Sequence, residues 1–282
     1  MVSSVFENYR VDARKANNQH VSTYILDNCL NGIKFNLSRE IMRYIFISLI
    51  TFLCQPVFAQ EMSIGLRGDS VAIADAEKMV EAMGGIEIWK HIKSLHFVHE
   101  WHPVNRADTY IENEILDLTS PRSWVNRKSE VTQTIRAYSP EGKYWTIKDG
   151  VFAYGGDNIW NAAIERAPFN FYHLVKAIAI KDSFYEIRYG KSDIPYTQQL
   201  NFYGPDGIIR GWVVLNAKME PIVKATPEYR YTLGPLKRFG NLWVPNWGVY
   251  DNGYTRFEMI SLVGDNQPPD ATLFLPPSEF KK

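Results

Sequence analysis

Residues 83–103 read MGGIEIWKHIKSLHFVHEWHP, and the fold turns on whether this is one element or the junction of two. Upstream, Asp69 and Ser70 form an N-cap pair. After it Ala72, Ala76, Met79, Val80 and Met83 recur at helical spacing, and Gly84 and Gly85 supply terminating glycines. Ile86, Trp89 and Ile92 make a short apolar turn, and from Ser94 the texture changes to alternation. Read as a strand, Leu95, Phe97, His99 and Trp101 share one face, while His96, Val98, Glu100 and His102 share the other. The stretch is therefore a junction where a capping helix hands over to the first long strand.

Downstream, short aromatic and β-branched runs predict strands near 94–101, 107–118, 122–128, 131–138, 143–148, 151–154, 158–166, 183–189, 196–203, 208–215, 228–233, 242–250 and 254–263. Turn residues separate them, as in Ser139-Pro140-Glu141-Gly142, Gly204-Pro205-Asp206-Gly207 and Asp251-Asn252-Gly253. Such spacing predicts an antiparallel meander. One interruption, PFNFYHLVKAIAI at 168–180, carries proline at a first-turn position and Phe171, Leu174, Val175 and Ile178 at helical spacing, so a helix is expected across the sheet. The tail at 267–280 is proline-rich and is expected to run extended over the surface.

The chain has 282 residues with 31 basic and 31 acidic side chains, so it lacks the charge surplus that nucleic-acid or anionic-membrane binding leaves in a sequence. Residues 42–60, MRYIFISLITFLCQPVFAQ, have one basic residue, an apolar run from Tyr44 to Cys54, Pro56, and Ala59 before Gln60, the layout of a secretory signal peptide cleaved after Ala59. A membrane-spanning helix needs about 20 apolar residues and this run is about half that. A lipoprotein signal at Cys54 is disfavoured because Leu53 stands where a small residue belongs. Residues 1–41 are polar and aperiodic and read as an extension upstream of a true start at Met42. Cleavage would remove six basic residues, four acidic residues and both cysteines, Cys29 and Cys54. The exported chain, residues 60–282, would be a slightly acidic, cysteine-free single domain with no disulfide and no thiolate, periplasmic or extracellular, and a monomer.

No complete catalytic motif is present: G-x-S-x-G, G-x-G-x-x-G and phosphate-loop runs are all missing. His96, Glu100 and His102 have the ligand types for zinc, but ligands two apart on a flat strand diverge, and HEWH misses the helical H-E-x-x-H spacing by one residue. Glu112 and Glu114 share a face that reads as solvated, opposite Ile111 and Ile115, whereas glycosidase catalysis needs carboxyls facing across a cleft. His99, between Phe97 and Trp101, is either a hydrogen-bonded core histidine or a polar contact for a ligand. Aromatics make up 14% of the chain, and one sheet covered by two helices fills a wide interior with difficulty. The expected cavity lining is Phe97, His99, Trp101, Ile111, Ile115, Trp145, Leu200, Phe202, Trp212 and Tyr231.

EAMGGIEIWKHIKSLHF, YEIRYGKSDIPYTQQLNFYGPDG, RYTLGPLKRFGNLWVPNWGVYDNG and PPDATLFLPPSEF, in that order over most of residues 70–280, resemble the LolA/LolB/LppX-type lipoprotein-carrier superfamily. The resemblance implies a mainly β, α+β fold: a strongly curved antiparallel half-barrel, with an N-terminal helix and one inserted helix over its concave face and an apolar cavity for acyl chains. It maps no carrier's functional residue onto this chain. The expected function is an exported carrier for a lipid, a lipoprotein acyl chain or another apolar ligand, not an enzyme, needing no cofactor and binding no nucleic acid. The alternatives are an envelope scaffold with a protein partner and a metal-assisted hydrolase on His96, Glu100 and His102.

Overall fold

The computed structural model describes residues 65–104, 108–138 and 142–280. The expected leader and the extension before it lie outside the described residues. The elements are β1 (Arg67–Gly68), α1 (Ser70–Ala82), α2 (Ile86–His91), β2 (Ser94–Pro103), β3 (Tyr110–Asp117), β4 (Ser123–Lys128), β5 (Gln133–Tyr138), β6 (Tyr144–Lys148) and β7 (Val151–Tyr154). After them come α3 (Asp157–Arg166), a 3-10 turn (Ala167–Phe169), α4 (Phe171–Ile180), β8 (Glu186–Gly190), β9 (Gln198–Tyr203), β10 (Ile209–Leu215) and β11 (Pro221–Ala225). The chain closes with β12 (Arg230–Leu233), β13 (Leu236–Phe239), β14 (Leu242–Pro245), β15 (Trp247–Tyr250) and β16 (Thr255–Asp265).

The protein is mainly β. Fourteen strands form one mixed sheet in the order β1-β8-β9-β10-β11-β12-β15-β16-β2-β3-β4-β5-β6-β7, and β13 with β14 forms a separate hairpin. Among the described residues only β1 with β8 is parallel, and the other pairings are antiparallel. Among the described residues the sheet is open, with β1 and β7 at its edges. Hairpins run from the central strand β2 out to β7, and a second series returns from β8 to β16 beside β2. The link from β7 to β8 must therefore cross the sheet from one edge region to the other, and α3, the 3-10 turn and α4 are that link.

The expected first helix is present. The Asp69 carboxylate accepts from the backbone N–H of Val71 (2.9 Å) and Ala72 (3.4 Å), and Ala72, Ala76, Met79, Val80 and Met83 are all buried. Gly84 ends it at φ +122°, where a Cβ would lie 2.7 Å from the Asn241 carbonyl oxygen, because β14 approaches closely enough for Trp243 N–H to donate to Met83 O (3.0 Å). The Trp89 indole N–H donates to the same carbonyl (2.9 Å). The buried Lys176 amine of α4 donates to Trp89 O (3.2 Å) and Lys90 O (2.7 Å), satisfying carbonyls that the end of α2 leaves free. α1, α2 and α4 thus seal one part of the sheet face over Leu95, Phe97, Ile187, Leu200, Phe202, Val213 and Leu215.

Three expectations are corrected. Residues 158–166 form α3 and not a strand: Asn158, Ile159, Ala162, Ala163 and Arg166 turn to one side at helical spacing, and Ala, Glu and Arg favour the helix. The run 242–250 is two strands, and β11 and β13 were not expected. Pro221 disguises β11, yet it is the first strand residue, where its missing N–H is tolerated. The tail does not merely run over the surface. Phe274 is fully buried against Ala137 and Trp145, the Trp145 indole N–H donates to Phe274 O (2.8 Å), and Phe280 stacks on Phe152 at 5.1 Å between centroids.

Candidate functional site

Register fixes which side chains share the helix-covered face. Opposite β2, Phe97 pairs with Glu114, His99 with Glu112 and Trp101 with Tyr110; Glu112 then pairs with Arg127, Glu114 with Val125, and Val125 with Arg136. Directly paired residues project to the same side. The carboxylates read as solvated therefore point inward. Glu112 is 4% exposed while Ile111 is 43% exposed, so Ile111 and Ile115 leave the expected lining for the opposite face. Trp145 and Trp212 leave it too. Trp145 packs under the tail, and Trp212 packs with Val214, Val223 and Ala225 on the opposite face. These strands are apolar on both sides, so aromaticity does not identify the inner one. Phe97, His99, Trp101, Leu200, Phe202 and Tyr231 are on the helix-covered face, but Phe97, Leu200 and Phe202 belong to its sealed core.

The inner face around β3 is rich in ionisable groups. Glu112 accepts two hydrogen bonds from Arg127 (3.0 and 2.5 Å) and one from the Trp101 indole N–H (3.0 Å), so its charge is answered locally. Glu114 has no such partner: burial and the Glu112 carboxylate push its pKa up to about 7, against the pull of Arg136, Lys224 and Arg127. The Lys224 amine lies 5.2 Å from the Tyr231 ring centroid, 5.7 Å from Phe257 and 5.9 Å from Phe171, and burial lowers its pKa to about 8 although Glu114 opposes this. His99 is 7% exposed among Phe257, Phe97 and Trp101, with neither ring nitrogen hydrogen-bonded; burial and then Lys224 push its pKa down to about 3. It is neutral at any ordinary pH.

Beside this cluster, a cleft of about 520 Å³ opens between α3 and the inner faces of β3, β4 and β5, with the start of α4 as its end wall. Glu114, Arg136, Tyr138, Asn158, Arg166, Asn170, His173 and Tyr229 supply its polar lining, and Leu116, Ile159, Ala162 and Ala163 its apolar lining. A second space of about 240 Å³ lies on the other side of α3, toward Phe169, Arg210 and Glu228. No residue of α3 is buried; its firmest ring contact is Trp160 against Tyr138 at 5.4 Å. A groove of about 690 Å³ between α2, the β13–β14 hairpin and β16 is lined by Glu87, His91 and Asp265, but the inward ionisable cluster lies away from it. The cleft under α3 is the stronger candidate because perturbed titratable groups converge on it.

Sequence reasoning missed Arg136, Arg166, His173 and Lys224. A signal was present for part of it: pairing Glu112 with Arg127 across the turn at 118–122 also pairs Leu116 with Ser123, putting opposite charges and an apolar residue on one face. The metal candidates do not gather. His96 is exposed and its Nε2 hydrogen-bonds Asn113 Oδ1 (2.7 Å), while His102 lies 3.8 Å from Glu100. Among the described residues no group of three His, Cys, Asp or Glu side chains could hold a metal ion, and no helix is long and apolar enough to cross a membrane.

No family model matches the chain, and no curated protein matches it. Among solved structures it is similar to a DUF1329 family protein from Desulfovibrio piger ATCC 29098, at 9% identity over 72% of this chain and 96% of that one, with a TM-score of 0.42. It is also similar to MucB, at 12% identity over 75% of this chain and 65% of that one, with a TM-score of 0.21. The Pseudomonas aeruginosa MucA/MucB complex matches at 12% identity over 73% of this chain and 62% of that chain, with a TM-score of 0.25.

Proposed function

We propose that this chain is an exported, non-catalytic binding protein of the cell envelope. Its ligand is an amphipathic molecule, a lipid or the acyl chain of a lipoprotein, held in the cleft under α3 by a sheet curved as a half-barrel. The observation that carries the reading is the α3 cleft itself: about 520 Å³, lined by polar and apolar groups together, beneath a helix that buries none of its residues. This differs from the apolar cavity implied by the resemblance, because α4 fills the greasy part of the face. A ligand with a polar head and a short apolar contact suits what remains.

Native mass spectrometry of the protein purified from its own cell envelope tests the reading. The expected result is a bound mass of a few hundred daltons that organic extraction releases as lipid. Protein that carries nothing and also fails to bind an added fluorescent fatty acid would exclude it. The second reading, an envelope scaffold, draws on the filled core and on the exposed Val151 and Tyr154 of edge strand β7. A protein partner cross-linking at β7, with no lipid bound, would favour it.

A further inference from the structure

We infer that the cleft under α3 selects a singly anionic headgroup, a carboxylate or a phosphodiester carried on an acyl chain, seated between Arg136, His173 and the first turn of α4. This rests on the binding reading above and names the ligand class within it.

Charge is the first argument. Glu114 is the only carboxylate among the described residues lining the cleft. Glu112 beside it is cancelled by Arg127, and Arg166 on α3 is paired outward with Glu228 at 3.3 Å. That leaves two cations, Arg136, which makes no close ion pair among the described residues, and Lys224, set among aromatic rings, both sharing the single Glu114 charge. One further negative charge would balance the cluster, and a half-buried cation gains from an anion beside it. The second argument is His173. It is 9% exposed, lines the cleft, and its Nε2 has no hydrogen-bond partner, although buried polar atoms nearly always have one. An imidazole proton on Nε2 would donate to a headgroup oxygen; burial pushes the pKa down to about 4, so the ring acts as a neutral donor. The third is α4: its ten residues begin at the cleft, with Asn170 on the wall, and a helix start favours negative charge. Leu116, Ile159, Ala162 and Ala163 then receive the first methylenes of the chain.

The test is calorimetric titration of the purified full chain, stripped of endogenous lipid, with three C16 probes: palmitate, palmitoyl lysophosphatidylglycerol and neutral hexadecanol. The wild-type protein is expected to bind at least one anionic probe about tenfold more tightly than the alcohol, as one charge-assisted hydrogen bond allows. Which anion binds separates a carboxylate from a phosphodiester source. Arg136→Gln is expected to remove that tenfold preference and leave hexadecanol affinity unchanged, whereas Lys237→Gln on β13 changes neither. Equal wild-type affinity for all three, or an Arg136→Gln loss that is the same for all three, overturns the headgroup assignment and leaves the amphiphile reading standing. No binding of any probe overturns both. The wild-type order of probes decides the matter even if the variant does not fold.

Discussion

Two ten-residue helices follow one another across the same sheet face, and they meet it differently. α4, FYHLVKAIAI, buries every residue from Phe171 to Ala179; α3, DNIWNAAIER, buries none. A helix that is apolar nearly all round is driven into the core from every side, and α4 packs on α1 and α2 as well as on the strands. A helix with one thin apolar stripe rests on the face without filling it. The sheet beneath is matched to its cover: Leu95, Phe97, Leu200 and Phe202 under α4, but Glu114 and Arg136 under α3. One part of the face is filled by its helix, and the other keeps an open cleft.

The largest expected effect separates them directly. Phe202→Ala, at a fully buried position, should cost about 4 kcal/mol in chemical denaturation, while Ile159→Ala on α3 should cost less than about 1 kcal/mol. Equal costs would erase the distinction. Phe274→Ala should cost about 3 kcal/mol, because the tail is the cover of the smaller core on the opposite face and the Arg122 guanidinium lies 5.0 Å from the Phe274 ring centroid. If deleting the tail leaves the melting temperature unchanged, that second core is not a folding element.

These elements differ in how far the sequence revealed them. α1, its terminating glycines and β2 were legible because period, cap and turn chemistry agree within twenty residues, as did the apolar run of α4. The face of β3 was not. YIENEILD offers two apolar sets, and parity alone favours the pair of isoleucines. What decides is long-range: Arg127 on the neighbouring strand answers Glu112, and Leu116 enters the sealed core, so the carboxylates turn inward and two isoleucines turn out. Trp145 and Trp212 misled for a related reason, since the tail and the loop carrying Ile194 cover parts of the opposite face that a sheet with one covered side would leave wet. The cleft depends on both register and the β7-to-β8 crossing, neither of which is a local property.

Glu114 gives a pH-dependent comparison. Glu112 on its own strand, Arg127 on β4, Arg136 on β5, Lys224 on β11 and Tyr172 on α4 surround it. Its folded pKa of about 7 lies above the ordinary 4.5, so the folded state holds the proton more tightly. The stability this contributes is complete below pH 4.5 and is lost as pH rises through 7. Glu114→Gln should therefore stabilise the protein by about 3 kcal/mol at pH 8 relative to wild type, with most of the gain gone at pH 4.5. A gain independent of pH would mean that the carboxylate is not buried against Glu112.

The smallest effect contrasts the two buried histidines. His99 and His173 both have ring nitrogens without partners, but His99 is enclosed by Phe257, Phe97 and Trp101 while His173 opens on the cleft. His99→Leu replaces unsatisfied polar atoms by an apolar group of similar size and should stabilise by about 1 kcal/mol without changing palmitate affinity. His173→Leu should bring a similar gain in stability but weaken palmitate binding severalfold, because the lost donor is one that the headgroup would have met. Measuring denaturation and titration on both variants separates an imidazole that the fold merely tolerates from one that the cleft uses. If palmitate affinity falls for His99→Leu and not for His173→Leu, the headgroup lies deeper, beside Lys224, and the boundary between sealed core and cleft shifts toward β2.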